Sequence, residues 1–121
     1  MALAVVIRPL SSSSDGLPIA VSGTTGAVNL HTGPTATNVF DRVFIYAGNT
    51  LTLSVFMTIE WGASTTLFRE EIPARAIAYP VLTGQLLLGR SGSVTATILK
   101  AFSTHSATLR ITGYVDRVTE T

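Results

Sequence analysis

FDRVFIYAGNTLTLSVFMTIEW, residues 40–61, decides how the rest of the chain is read. Leu51, Leu53, Val55, Met57, Ile59 and Trp61 alternate with Thr52, Ser54, Thr58 and Glu60, and only Phe56 interrupts them. Period-two alternation of this length predicts a strand with one buried face. Residues 40–47 form a second apolar run, and Gly48, Asn49 and Thr50 between the two read as a turn. The stretch is therefore expected to be a β-hairpin. A three-residue loop sets Ile45 opposite Leu53 and Val43 opposite Val55, gathering Val43, Ile45, Leu53, Val55 and Met57 on one face. The other face then carries Phe40, Arg42, Phe44, Tyr46, Ser54, Phe56 and Thr58. Four aromatic rings need a cover, so the hairpin is expected to be either the middle of a sandwich or the floor of an interface.

Outward from the hairpin the chain is a series of short strands. Candidates lie at 2–7, 17–21, 28–31, 66–72, 75–82, 85–89, 93–102 and 107–115, with turns at 22–26, 83–84 and 90–92. Pro80 marks its strand as bent or edge-placed, because proline has no N–H for a ladder. Pro73 argues against a helix over residues 66–78. In the last strand Ala107, Leu109, Ile111, Gly113 and Val115 share a face, and residues 116–121 read as a polar tail. Eight to ten short strands with no helix predict one all-β domain, an antiparallel β-sandwich or a barrel-like, jelly-roll-like fold. Residues 17–121 form that domain. Residues 1–16 read as an N-terminal arm and serine-rich linker: the apolar segment ending in Val5, Val6, Ile7 and Arg8 is joined through Ser11, Ser12, Ser13 and Ser14. Such a segment is either the first strand of its own domain or an arm that docks on a neighbour.

The bulk composition narrows function. The 121 residues fit one domain. Cysteine is absent, so no disulfide or thiolate metal site exists in the chain. The net charge is +1, without the clustered cations that a phosphate backbone or an anionic membrane demands. No apolar run is long enough for a transmembrane helix. Charged residues make up only 12%, against about 25% in an ordinary soluble domain. A surface so poor in charge resists association weakly, which points to a protein covered by other subunits.

Catalytic patterns are not found. His31 and His105 are each isolated among small polar residues and read as solvated or interface imidazoles. No G-x-S-x-G elbow marks a nucleophile, and a triad needs a histidine oriented by a carboxylate. Glu70 and Glu71 are adjacent in a strand and so point to opposite faces. One lysine, Lys100, and no Gly-rich loop exclude a P-loop. No metal-ligand spacing is present, and no cofactor is expected. Exposed aromatics, Trp61, Tyr46, Tyr79 and Tyr114, keep a carbohydrate-binding module as a rival, although Trp61 closes an apolar strand face and reads first as core or rim packing.

Four segments carry a resemblance: Asp41-Arg42-Val43-Phe44-Ile45-Tyr46-Ala47, Thr58-Ile59-Glu60-Trp61-Gly62, Glu71-Ile72-Pro73-Ala74, and Ile111-Thr112-Gly113-Tyr114-Val115-Asp116-Arg117-Val118. They resemble small all-β proteins encoded among the structural genes of tailed bacteriophages. The similarity runs over residues 40–118, leaves the N-terminal third uncovered, and rests on structural motifs. It implies a non-enzymatic virion component made in the host cytoplasm, with a capsid decoration (cement) protein on the capsid surface as the leading form. A tail or neck accessory protein is the alternative. The implied partners are the major capsid protein or other virion proteins, together with further copies of the chain as a trimer or dimer. The expected contact residues are Val5, Val6, Ile7 and Arg8 of the arm, and Phe40, Phe44, Tyr46 and Phe56 of the hairpin.

Overall fold

A computed structural model describes residues 2–21, 27–62, 65–88, 96–104 and 109–120. The expected turns at 22–26 and 90–92, and His105, lie outside the described residues. Nine strands are seen among the described residues: β1 (Leu3–Pro9), β2 (Ile19–Val21), β3 (Val28–Thr32), β4 (Val39–Asn49), β5 (Val55–Trp61), β6 (Leu67–Ile72), β7 (Tyr79–Leu88), β8 (Ile98–Ser103) and β9 (Leu109–Glu120). They form two antiparallel sheets. The first has the order β1-β9-β4-β7, with β2 lying beyond β1 along the same edge of β9. The second has the order β3-β8-β5-β6. The sheets pack face to face as a sandwich and do not close into a barrel. With β1 and β2 counted as one interrupted edge, the chain visits the sheets in the order first, second, first, second, second, first, second, first. That path is the jelly-roll arrangement.

Residues 40–61 are not a hairpin. β4 pairs with β9 on one side and β7 on the other, while β5 lies in the opposite sheet between β6 and β8. Val43, Ile45, Val55, Met57 and Ile59 do share one core, but they face one another across the sandwich rather than along one sheet. Leu53, expected in that core, is half exposed on the crossover between the sheets. The reason is Asn49. Its side-chain amide donates to the carbonyls of Leu53 (2.9 Å), Pro73 (3.1 Å) and Ile72 (3.3 Å), and its Oδ1 accepts the Leu51 N–H at 3.0 Å. The chain is thereby turned out of its own sheet, at a buried residue that a hairpin would have left in solvent.

Other boundaries moved for local reasons. Thr83 and Gly84 are not a turn, because β7 runs through them with a bulge. Val43 pairs with Gln85 and Phe44 with Thr83, leaving Gly84 unpaired at φ +110°. A second shift surrounds Val81, beside Pro80, and β7 is an edge strand as the proline requires. β9 continues through the expected polar tail to Glu120, because β1 and β4 pair along both of its sides. The serine run is a 3-10 turn at Ser11–Ser13 with Ser13 buried, and Leu10 just before it fills the core completely. β1 is the first strand of its own chain's sheet. Every side chain of β1 is exposed, so the strand overhangs the sandwich.

Candidate interaction surface

Directly paired residues on neighbouring strands share a face. On the outer side of the first sheet, pairing therefore sets Val5, Val118 and Phe40 in one row, and Ile7, Asp116, Arg42 and Leu86 in the next. Pro9, Tyr114, Phe44 and Thr83 form a third row, and Thr112 and Tyr46 a fourth. Val118 faces outward yet is only 4% exposed, because its neighbours cover it. Phe44 and Tyr114 stack with centroids 4.7 Å apart and planes 11° off parallel. At the rim of this face Ile7 is 72% exposed, and Leu3, Val5 and Leu86 are each more than half exposed. In its middle Arg42 Nη2 and Asp116 Oδ2 meet at 2.9 Å. An exposed pair of this kind contributes little to stability. It does keep the centre of an apolar face polar.

The outer side of the second sheet is different. Glu60, Arg69, Glu71 and Lys100 face outward there, with both signs interspersed. Phe56 lies on this side, under the Arg69 guanidinium at 4.3 Å. The expected contact residues are therefore divided. Val5, Ile7, Phe40, Phe44 and Tyr46 share the apolar face, Val6 and Arg8 lie on the reverse side of β1, and Phe56 belongs to the opposite sheet. Of the aromatics held for a sugar site, Tyr46 and Tyr114 are on the apolar face. Trp61 packs against the core and meets Phe68 edge-on, as rim packing predicts. Tyr79 donates to Glu70 Oε1 at 3.2 Å, and the Glu70 charge raises its hydroxyl pKa. Of the four, only Tyr46 and Tyr114 share the outer face of the first sheet, in neighbouring rows.

Comparison with known proteins found no matching family model, curated protein or solved structure. The site is therefore read from its own chemistry.

That chemistry includes a cluster that the sequence did not announce. Asp41 on β4 is fully buried and points inward, in the same alternation as Val43 and Ile45. Arg117, directly opposite on β9, grips both of its oxygens, Nε at 2.8 Å and Nη2 at 2.9 Å. His31 on β3 of the other sheet is 2% exposed and brings Nε2 to 2.7 Å from Asp41 Oδ2. Its Nδ1 accepts the backbone N–H of Ser11 at 3.1 Å and lies 3.0 Å from the Ser11 hydroxyl. An accepting Nδ1 leaves the ring proton on Nε2, where it donates to Asp41. Burial by itself would raise the Asp41 carboxyl, but hydrogen bonds from Arg117 and His31, together with the Arg117 charge, outweigh it and hold the pKa below the usual carboxylate range. The Arg117 guanidinium is raised in turn, chiefly by its hydrogen bonds to Asp41. His31 is thus not the solvated or interface imidazole expected.

Ser11, His31 and Asp41 have the residue types of a hydrolase triad and touch in that order. Their bonding is that of a tie between the sheets. The single Nδ1 lone pair is shared between the amide and the hydroxyl of Ser11. The Ser11 hydroxyl accepts the Thr32 N–H at 3.1 Å, and Arg117 occupies both Asp41 oxygens. Among the described residues no group of three or more His, Asp or Glu is gathered to hold a metal ion. Separately, an open groove of about 510 Å³ lies between the β4–β5 crossover and the β6–β7 connection, lined by residues that include Arg75, Ile77 and Arg110. Arg75 there has φ +59°, with its N–H bonded to Leu51 O at 3.0 Å.

Proposed function

We propose that this protein is a non-enzymatic structural subunit of a phage virion, acting as a capsid decoration protein that lays the apolar outer face of its first sheet on the shell. The observation that carries the reading is the contrast between the two outer faces. One sets charges of both signs, Glu60, Arg69, Glu71 and Lys100, among the exposed Phe56 and Leu67, whereas the other exposes Leu3, Val5, Ile7 and Leu86 around stacked rings with one ion pair, Arg42–Asp116, at its centre. Large exposed apolar side chains gathered at both edges of one sheet face, on β1 and on β7, mark a protein contact. Covering a side chain such as Ile7 or Leu86 contributes roughly 1–2 kcal/mol, and symmetry repeats each such contact over a shell. The low charge fraction and the resemblance of residues 40–118 to phage structural proteins support the same reading. The jelly-roll path is used by viral capsid domains, and also by lectins and cupins, so the fold alone does not choose among them. Against a lectin-like role, Phe44 and Tyr114 stack on each other, so each has one ring face covered by its neighbour, while a sugar needs an open ring face.

Quantitative mass spectrometry of gradient-separated particles tests the proposal. The chain is expected on heads, at a high copy number set by capsid symmetry. An Ile7→Lys/Leu86→Lys double variant, folded by circular dichroism, is expected to be lost from them. Recovery at a few copies, on tails alone, or undiminished for the double variant overturns the decoration role.

A further inference from the structure

The five edge strands of this sandwich are not guarded alike. β7 carries Pro80 and two bulges, one of them at Gly84. β3 has a register break between Asn29 and His31. β6 presents Arg69, Glu70 and Glu71, and β2 is three residues long. These are the devices by which sheets avoid pairing edge to edge. β1 has none along residues 3–7, with Arg8 and Pro9 only at its end. It is seven residues of regular pairing with β9 on one side, and its other edge has no strand partner among the described residues.

We propose that the occupant of this free edge is the β1 strand of a second copy, antiparallel about a two-fold axis through Val6. The sequence of β1 is self-complementary in that register. Val6 meets Val6 of the copy, Val5 meets Ile7, Leu3 meets Pro9, and Arg8 meets Ala4. No like charges are opposed, and all seven residues are used. Odd positions meet odd positions, so the apolar outer faces of the two copies join into one, across a sheet of two fused halves. A strand of seven residues is about 23 Å long. The pairing covers less than the ~800 Å² per partner of a standard interface, so the dimer is weak in free solution and is strengthened wherever copies are held side by side. This pairing rests on the assembly-subunit reading above and names one of its partners.

The chain has no cysteine, so single-cysteine variants report cleanly. Directly opposed Cα atoms in antiparallel strands are about 4.5–5.5 Å apart, within the reach of a disulfide. Under mild oxidation of the purified chain, Val6→Cys is expected to form a covalent dimer about tenfold faster than the control Ile77→Cys, which is 94% exposed at the groove. Val5→Cys and Ile7→Cys are each expected to react slowly alone, since each would lie diagonal to its own copy. Mixed together they should give a Val5→Cys/Ile7→Cys heterodimer at the Val6→Cys rate. Equal rates at positions 5, 6, 7 and 77, or a heterodimer no faster than the single variants, overturn the register and with it the proposal. The two readings fail separately. A specific Val6→Cys dimer of a protein absent from particles sinks the virion role alone, and a particle-bound protein without position-specific crosslinking sinks the β1 pairing alone.

Discussion

Asp41 ties the two sheets together. Arg117 holds it from the neighbouring strand and His31 from across the sandwich, with its own side chain entirely out of water. Breaking such a buried pair leaves the remaining charge poorly solvated and costs about 3–5 kcal/mol. Arg117 is a quarter exposed, so Asp41→Asn is expected near the lower end, about 3 kcal/mol by urea unfolding at neutral pH. The pH dependence has a definite sign. The folded-state pKa of Asp41 lies below its unfolded value, so the unfolded chain takes the proton first as pH falls. The contribution is fully present above about pH 4 and is lost as pH drops through the folded pKa. Urea midpoints measured from pH 7 down to pH 3 should therefore show the gap between wild type and Asp41→Asn narrowing only below about pH 4. A gap that stays constant over that range would show that the carboxylate is not what ties the sheets.

At the scale of elements, the decisive object is the exit of β4. Asn49 uses its amide on three carbonyls and its oxygen on one N–H, fastening the β4–β5 crossover to the start of the β6–β7 connection. Each buried hydrogen bond is worth about 1 kcal/mol net, so Asn49→Ala is expected to cost about 2–3 kcal/mol. Asn49→Asp keeps the oxygen that accepts from Leu51 but turns a second oxygen toward the carbonyls. It should be at least as damaging at neutral pH, as thermal melts of both variants would show. The same residue explains how far the sequence could be read. Strand existence, the inward alternation of Val43, Ile45, Val55, Met57 and Ile59, and the edge position of the Pro80 strand all follow from periodicity and proline chemistry. Pairing does not, because alternation says which side chains are buried together and not whether they lie beside or across from each other. Gly48-Asn49 has the composition of a hairpin turn, and only the long-range acceptors at Ile72 and Pro73 convert it into a crossover. The buried cluster did leave a trace. Asp41 and Arg117 stand at inward positions of apolar strands, Asp41 in step with Val43 and Arg117 in step with Val115. What hid Arg117 was the assumption that the strand ended before it.

For the whole molecule, the question is what the overhanging β1 contributes to the fold and what it leaves for partners. Its seven side chains are all exposed, so its removal forfeits little core. Leu10, the very next residue, is fully buried and begins the turn from which Ser11 reaches His31. The change from exposed to buried side chains therefore falls between Pro9 and Leu10. A chain lacking residues 1–9 is expected to unfold cooperatively, a few degrees below the full protein, and to lose its self-association. In the full chain Leu10→Ala should cost about 2–5 kcal/mol, as core truncations to alanine do. One side chain would thus outweigh a whole strand in stability, while the strand outweighs the side chain in assembly. Calorimetry and sedimentation on the two variants check both halves. If the shortened chain fails to fold, β1 is part of the core and the exposed edge is not there for a partner. If it folds and still associates as before, the contact surface is the remaining apolar face, around Phe44 and Tyr114, without β1.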